Sequence, residues 1–273
     1  MNTSSLLPSV LLVGCGKMGG AMLEGWIRHG LAPSVVMDRH DHTLPAPHQH
    51  ARTLADIPAD FTPDIIILAV KPQKADEVLG ELGQRFPTTP LLSVMAGRTV
   101  ENLAQRFSEA NSAAKPTIIR AMPNTPCAIG AGISGLYAAP TVTDQQKQYC
   151  DQLLQAVGET VWVEQEDLID SVTAVSGSGP AYVFLLAELM EKAGVEQGLP
   201  IETARKLARR TIFGAGALLD HSPLDAAELR TRVTSPGGTT AAALAVLMAP
   251  DAWPTTVSKA IQAAARRAKE LSS

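Results

Sequence analysis

Val10-Leu11-Leu12-Val13-Gly14-Cys15-Gly16-Lys17-Met18-Gly19 is the stretch on which the fold turns. Its four apolar residues make a short strand, three glycines follow in GxGxxG spacing, and residues 20–27 continue as a helix. In a strand-turn-helix unit the first glycine makes the tight turn, the second clears room for a pyrophosphate, and the third lets helix and strand pack closely. The phosphates of a dinucleotide would then sit on the helix N-terminus, where backbone N–H groups lack partners. A ligand-free glycine turn is the plainer reading. The strand before it and the helix after it favour dinucleotide binding.

The next strand, residues 34–37, ends in Asp38-Arg39. An acid there would take a ribose 2′-hydroxyl and favour NAD, whereas an arginine would clamp a 2′-phosphate and favour NADP. Both residue types are present, so the sequence leaves the choice open. Further out, residues 64–70 form a continuous β-branched run stopped by Lys71-Pro72, as expected of a strand buried on both faces of a parallel sheet. Strands are also expected at 91–94, 117–121, 135–138 and 160–163. This alternation predicts an α/β Rossmann-type domain, a doubly wound and mostly parallel sheet. Ligands in such sheets bind beyond the carboxyl ends of strands, so residues 69–72, 95–97 and 123–125 would face one crevice.

Past Glu166 the strand pattern gives out. Helices are expected at 181–193, 199–220, 224–232, 241–248 and 255–271, so residues 1–165 read as the dinucleotide-binding domain and 166–273 as an all-α second domain. Tyr182, Phe184, Leu185, Leu186, Leu189 and Met190 cover more than one face of the first of these helices. About 100 residues bury that much apolar surface more easily if helices of two chains interleave, which predicts at least a homodimer.

One run in the second half carries chemistry: Val233-Thr234-Ser235-Pro236-Gly237-Gly238-Thr239-Thr240. Pro236 and the two glycines break one helix and the alanine-rich run after them starts another, so unpaired N–H groups should point outward. Ser235, Thr239 and Thr240 add hydroxyls, and the missing Cβ at Gly237 and Gly238 lets a ligand carboxylate approach the main chain. As a plain helix cap the run would need no ligand.

The 273 residues, 45% hydrophobic and 18% charged, describe a globular chain with room for two modest domains. A net charge of −4 without a basic, aromatic-laced patch gives no footprint for nucleic acid. The longest apolar runs fall short of the roughly 20 residues of a membrane span, and residues 1–8 lack the features of a secretion leader. Cys15, Cys127 and Cys150 are odd in number and lack metal-ligand spacing, which fits a reducing cytoplasm. His40, His42, His48 and His50 fall among prolines and polar residues without helical register and read as a solvated loop; no metal site is expected.

The chain resembles pyrroline-5-carboxylate reductases through GCGKMG at 14–19, AVKP at 69–72, SVMAG at 93–97, MPNTP at 122–126, EDLIDSVTAVSGSGPAY at 166–182 and VTSPGGTT at 233–240. The last two runs, in this order and spacing, are far more specific than GxGxxG. The resemblance implies reduction of 1-pyrroline-5-carboxylate to L-proline with NADPH, NADH being the other candidate donor. It implies a cofactor site from Gly14, Cys15, Gly16, Lys17, Met18, Gly19, Asp38, Arg39, Asp56, Ala69, Val70, Lys71, Pro72, Ala96, Gly97 and Asn124. Ser235, Gly238, Thr239 and Thr240 would hold the substrate, with the Thr240 hydroxyl on the ring nitrogen as the catalytic contact. Three positions depart from the family pattern. Asp38-Arg39 replaces a small polar residue or an Asn-Arg pair, Asp56 stands for an asparagine, and Arg232 replaces an Asn or Asp.

An imine nitrogen is basic enough to carry a proton from solvent, so such a site needs no strong acid, which suits a set of amides, hydroxyls and glycines. The task is positioning, with the reacting carbons about 3 to 3.5 Å apart. The nearest rival, a 3-hydroxyacid dehydrogenase of the β-hydroxyacid family, places a lysine four residues beyond a glycine motif. Here Val183 follows Gly179 at that distance and the nearest lysine downstream is Lys192. A non-catalytic NAD(P)-sensing protein would have no reason to keep the run at 233–240.

Overall fold

The computed structural model describes residues 7–109, 111 and 116–272. Residues 1–8, read above as no leader, therefore lie outside the described part except for Leu7 and Pro8. The chain forms two compact units: one runs to Gly177 and takes in the chain again from Ala264, and the other spans residues 178–263.

The first unit carries β1 (Val10–Val13), α1 (Lys17–Arg28), β2 (Val35–Met37), β3 (Gln49–Ala51), β4 (Ile65–Leu68), α2 (Pro72–Arg85) and β5 (Leu91–Ser93). It continues through α3 (Val100–Ser108), β6 (Ile118–Met122), β7 (Gly132–Ala138), α4 (Asp144–Gln155), β8 (Gly158–Trp162) and α5 (Leu168–Val172). The sheet order is β3-β2-β1-β4-β5-β6-β7-β8, parallel throughout except where β6 meets β7. Strand order reverses between β1 and β4, which makes the ends of those two strands the switch point where ligands of such sheets bind.

The uninterrupted apolar strands follow from having helices on both faces. Successive side chains point to opposite sides, so Val10, Leu12, Ile65 and Ile67 pack with Trp26 of α1 and Leu153 of α4. Leu11, Val13, Ile66 and Leu68 pack instead with Leu79 of α2 and Phe107 of α3. An alternating polar pattern would have exposed one face. Trp26 is fully buried and its Nε1–H donates to Leu153 O at 2.7 Å, which satisfies the one polar group it takes into the core.

The second unit holds α6 (Gly179–Glu196), α7 (Ile201–His221), α8 (Ala226–Arg232) and α9 (Thr239–Leu247). Helix α10 (Trp253–Ser272) begins in this unit and ends in the first. The α/β Rossmann-type half followed by an all-α region is thus the observed class.

Four details differ from the sequence reading. The histidine-rich segment, expected to be loop, ends in β3, which pairs in parallel with β2 through Val36 and His50. Three polar-leaning residues at a sheet edge carry almost no local signal, and the pairing is decided by β2. Second, α5 and a π-helical turn, Thr173–Gly177, precede α6. Thr173 and Ser176 return their hydroxyls to the carbonyls of Ile169 and Val172, so a Ser/Thr/Gly-rich stretch that looks like loop stays helical. Third, the domain boundary read at 165/166 marks the end of the strand pattern, whereas the compact units divide at Gly177, because α5 packs on β6 and β7. Fourth, the helical stretch Leu168–Glu196 is long and apolar enough by length and composition to cross a membrane, contrary to the expectation that no run reaches a span. Glycines and serines interrupt its apolar residues without lowering the average hydropathy much.

Candidate active site

The turn after β1 assigns a physical role to each glycine of GxGxxG. Gly14 has φ +92°, and a Cβ there would lie 2.8 Å from Val70 Cγ1 and 2.9 Å from Ala69 O, so only glycine suits both its conformation and its space. A Cβ at Gly19 would collide with Gly14 O. A Cβ at Gly16 would meet nothing within 4 Å, which leaves open space at the N-cap of α1. The first helical hydrogen bond there runs from Gly20 N to Gly16 O at 2.8 Å. The N–H groups of Lys17, Met18 and Gly19 are therefore not spent inside the helix, no side chain caps them, and no acid stands in the first turn. These features fit the pyrophosphate of a dinucleotide.

Beside this turn lies a cleft of about 420 Å³ lined by residues from the ends of β1, β2 and β4, among them Gly14, Gly16, Asp38, Arg39, Ala69 and Lys71. Val70 lines it as well. Of the cations at its wall, Arg52 is held by Asp41 at 2.6 Å and Lys74 by Glu77 at 2.6 Å. Among the described residues, Arg39 and Lys71 have no ion-pair partner. The sequence reading assigns no site role to Arg52 or Lys74, and His40, read above as part of a solvated loop, also lines the cleft. Arg52 follows the unrecognised β3, whereas Lys74 lies one turn past a strand-ending Lys71-Pro72 and was findable from that position.

Asp38 faces inward. Its Oδ2 accepts from Cys15 N at 2.7 Å and its Oδ1 from His40 N at 2.8 Å, so the carboxylate ties the end of β2 to the glycine turn. Burial acts to raise its pKa, but the two N–H donors, with His42 and His40 nearby, hold it below the ordinary carboxylate value. A carboxyl with a depressed folded pKa adds stability that is present above its unfolded pKa of about 3.9 and is lost as pH falls through the lower folded value. The amide of Asp38→Asn has one acceptor oxygen for two N–H groups. This variant is expected to melt below the parent at neutral pH, and the gap should close in acid below the depressed value. A gap that persists there would deny the carboxylate this role.

Other expected cofactor residues stand elsewhere. Asp56 does not line the cleft; its carboxylate accepts from Thr53 N and Oγ1, both at 2.8 Å, and caps a short 3₁₀ helix. Asn124 is buried at the end of β6 and accepts from Ile133 N at 3.0 Å, so its carbonyl serves the start of β7. Cys15 is half-buried, and its thiol pKa is raised by burial and then by the Asp38 and Glu24 charges. Pro72 opens α2, and Ala96-Gly97 follow β5 at the same edge of the sheet as the cleft without lining it. Among the described residues no cluster of histidines, cysteines and acids is placed to hold a metal.

In the second unit, Gly238 N donates to Ser235 O at 3.1 Å and Gly237 has φ +68°, so Ser235-Pro236-Gly237-Gly238 forms a turn with proline second and left-handed glycine third. A Cβ at Gly238 would lie 2.6 Å from Ser235 Oγ. This hydroxyl is thereby brought beside the N-cap of α9. The first bond of that helix runs from Ala242 N to Gly238 O at 3.2 Å, no side chain caps it, and Thr239 and Thr240 occupy its first two positions. Arg232 leans back along α8 to Glu228 at 2.8 Å.

Two family models match: one described as pyrroline-5-carboxylate reductase dimerisation, over residues 166–271, and one described as NADP oxidoreductase, coenzyme F420-dependent, over residues 9–97. The chain is 36% identical to the pyrroline-5-carboxylate reductase of Pseudomonas aeruginosa over 97% of each protein. It is 34% identical to that of Haemophilus influenzae over 96% of this chain and 97% of the relative. A solved pyrroline-5-carboxylate reductase from Coxiella burnetii matches with a TM-score of 0.86 at 33% identity, covering 98% of this chain and 99% of that one. A Plasmodium falciparum pyrroline carboxylate reductase solved with NADP bound matches with a TM-score of 0.84 at 27% identity, covering 98% and 100%. Sequence likeness of this extent runs through both units, and the chain belongs to the pyrroline-5-carboxylate reductase family.

Proposed function

We propose that this chain reduces 1-pyrroline-5-carboxylate to L-proline with NADPH as donor and NADH as the alternative, an oxidoreductase acting on a CH–NH bond at the end of proline biosynthesis. The observation that carries the reading is a pair of helix starts, one in each unit, that lack both a side-chain cap and a first-turn acid. Each is an anion cradle. Their sequences are those of a family whose substrate and cofactor both carry anionic groups.

A bound reduced nicotinamide supplies the hydride for the C=N carbon. The chain's own part is to bind, orient and exclude. The amides at the start of α1 hold the pyrophosphate, and the wall formed by Arg39, Ala69, Val70 and Lys71 holds the rest of the nucleotide. The amides at the start of α9, with Ser235 and Thr239, hold the substrate carboxylate. Thr240 presents its hydroxyl to the ring nitrogen, whose proton comes from solvent, so no buried acid is needed.

Arg39 supports the NADPH preference, since it lines the nucleotide cleft without an ion-pair partner among the described residues. Arg39→Ala is expected to raise the KM for NADPH about tenfold or more and leave that for NADH nearly unchanged, because a charged hydrogen bond to a 2′-phosphate is lost. Equal effects on both cofactors would reject the assignment. For the reaction itself, NAD(P)H oxidation is followed with and without the imine. Turnover only when it is supplied is the expected result; oxidation driven by a 3-hydroxyacid couple, or nucleotide binding without turnover, would select one of the two rivals.

A second copy of the chain supports the second unit in this reading. Phe184, Leu185 and Leu189 of α6 are more than half exposed in the single chain, and the family model over this region is a dimerisation model. We place a homodimer built on interleaved helices here, in the cytoplasm. The described cysteines are free thiols, which suits that compartment. Neither nucleic acid nor a membrane is part of the proposal, and the apolar surface of α6 is assigned to the partner chain.

A further inference from the structure

Arg98 lies outside the nucleotide cleft yet bonds to the turn at its edge. Its Nη2 donates to Pro72 O at 2.7 Å and to Asp76 Oδ2 at 3.0 Å, and its Nη1 donates to Asn102 Oδ1 at 2.6 Å. Pro72 and Asp76 begin α2, and Asn102 belongs to the first turn of α3. The backbone of Arg98 itself continues the turn after β5, next to Gly97. One largely buried guanidinium therefore ties together the chain after β4, the chain after β5 and the starts of two helices. A planar fork of five donors can do this where the single ammonium of a lysine cannot.

The same turn is gripped from another side. Gly97 has φ +72°, and a Cβ on it would lie 2.5 Å from Leu271 O and 3.0 Å from Leu271 Cβ. Leu271 belongs to the last turn of α10, which is part of the first unit. That turn is anchored by Ser272, whose hydroxyl reaches Asp170 Oδ1 at 3.4 Å and Ala268 O at 3.1 Å. Turns at strand ends are the mobile part of such a sheet. This one is pinned by a guanidinium and by a helix end 174 positions downstream, from Gly97 to Leu271.

We propose that Arg98 and the last turn of α10 are positioning elements for the cofactor: they hold Ala96-Gly97 in register with residues 69–72 so that the nicotinamide end meets a preformed surface. The proposal rests on the reading of Ala96-Gly97 as cofactor contacts. Neither Arg98 nor Leu271 touches a reacting atom.

The test uses the full chain and its Arg98→Ala, Arg98→Lys and Gly97→Ala variants, with a fourth ending at residue 270. Dissociation constants for NADPH, steady-state constants for both substrates, and melting temperatures are measured. For Arg98→Ala the Kd and KM of NADPH should rise about tenfold and kcat should fall, since displacement of a binding surface by a fraction of an ångström to one ångström costs that order. The KM for the imine should stay put, and Arg98→Lys should fall between parent and alanine variant. Gly97→Ala and the shortened chain should show the same cofactor-only loss. If Arg98→Ala does not fold, Arg98→Lys and the shortened chain carry the comparison. A variant set that melts lower while keeping its NADPH constants, or that raises both KM values alike, overturns the proposal. A parent chain that oxidises no NADPH with the imine overturns the functional reading and this proposal with it, whereas an active parent with indifferent variants overturns this proposal alone.

Discussion

Replacing Gly19 by alanine is expected to weaken NADPH binding about a hundredfold, the order that a misplaced binding group costs. The methyl would collide with Gly14 O, a backbone atom of the turn proposed to carry the pyrophosphate, and neither end of that contact is a flexible side chain. Relief requires α1 to back away from the β1 turn, which displaces the amides of residues 17–19. Gly16→Ala provides the contrast. Its methyl meets no protein atom, so this variant should fold and melt like the parent yet still lose cofactor if, as proposed, the phosphates occupy the free space it fills. Titration of both variants with NADPH, beside thermal melts, checks the pair. A Gly16→Ala protein that binds NADPH as tightly as the parent would remove the pyrophosphate from this helix start.

Thr240→Val is the second large effect. Valine keeps the β-branched shape at the second position of α9 and deletes only the hydroxyl, so the helix start is preserved. If that hydroxyl orients the ring nitrogen in the transition state, kcat/KM for the imine should fall about a hundredfold, the cost typical of deleting one preorganised donor or acceptor at a reacting centre. NADPH affinity should not change, because the cofactor cradle is built from other residues. Full turnover in Thr240→Val would assign substrate orientation to the amides of α9 and Ser235 and leave Thr240 a helix residue only. The two variants separate cleanly: the first acts on the nucleotide, the second on the imine.

The parts of this site legible in the sequence are those whose roles are local. Gly14, Gly16 and Gly19 have the backbone geometry their spacing predicts because turn conformation, open space at an N-cap and helix-strand approach are set within a few residues. The same holds for Ser235-Pro236-Gly237-Gly238, where proline and a left-handed glycine dictate the turn. Two side chains expected on the cofactor have hydrogen-bond partners within the protein. Asp56 sits three residues after Thr53, and a Thr-x-x-Asp pattern is itself a capping signal that competes for the carboxylate. Asn124 offered no such sign, since its partner, Ile133 N, lies across a turn whose path is not written locally.

Taken alone, the chain's order of residues determined the Rossmann-type first half, the helical second half, both glycine turns and the family, because each rests on periodicity or on backbone rules that act over a few positions. Tertiary structure alone decided that β3 pairs at the sheet edge, that Arg52 joins the cleft wall, that Asp38 turns its carboxylate to the Cys15 amide, and that Arg98 and Leu271 pin the turn at Gly97. Those choices depend on which groups remain unpaired once distant segments meet, and a hydrogen-bonding group takes the partner that packing brings within about 3 Å, wherever that partner lies in the chain.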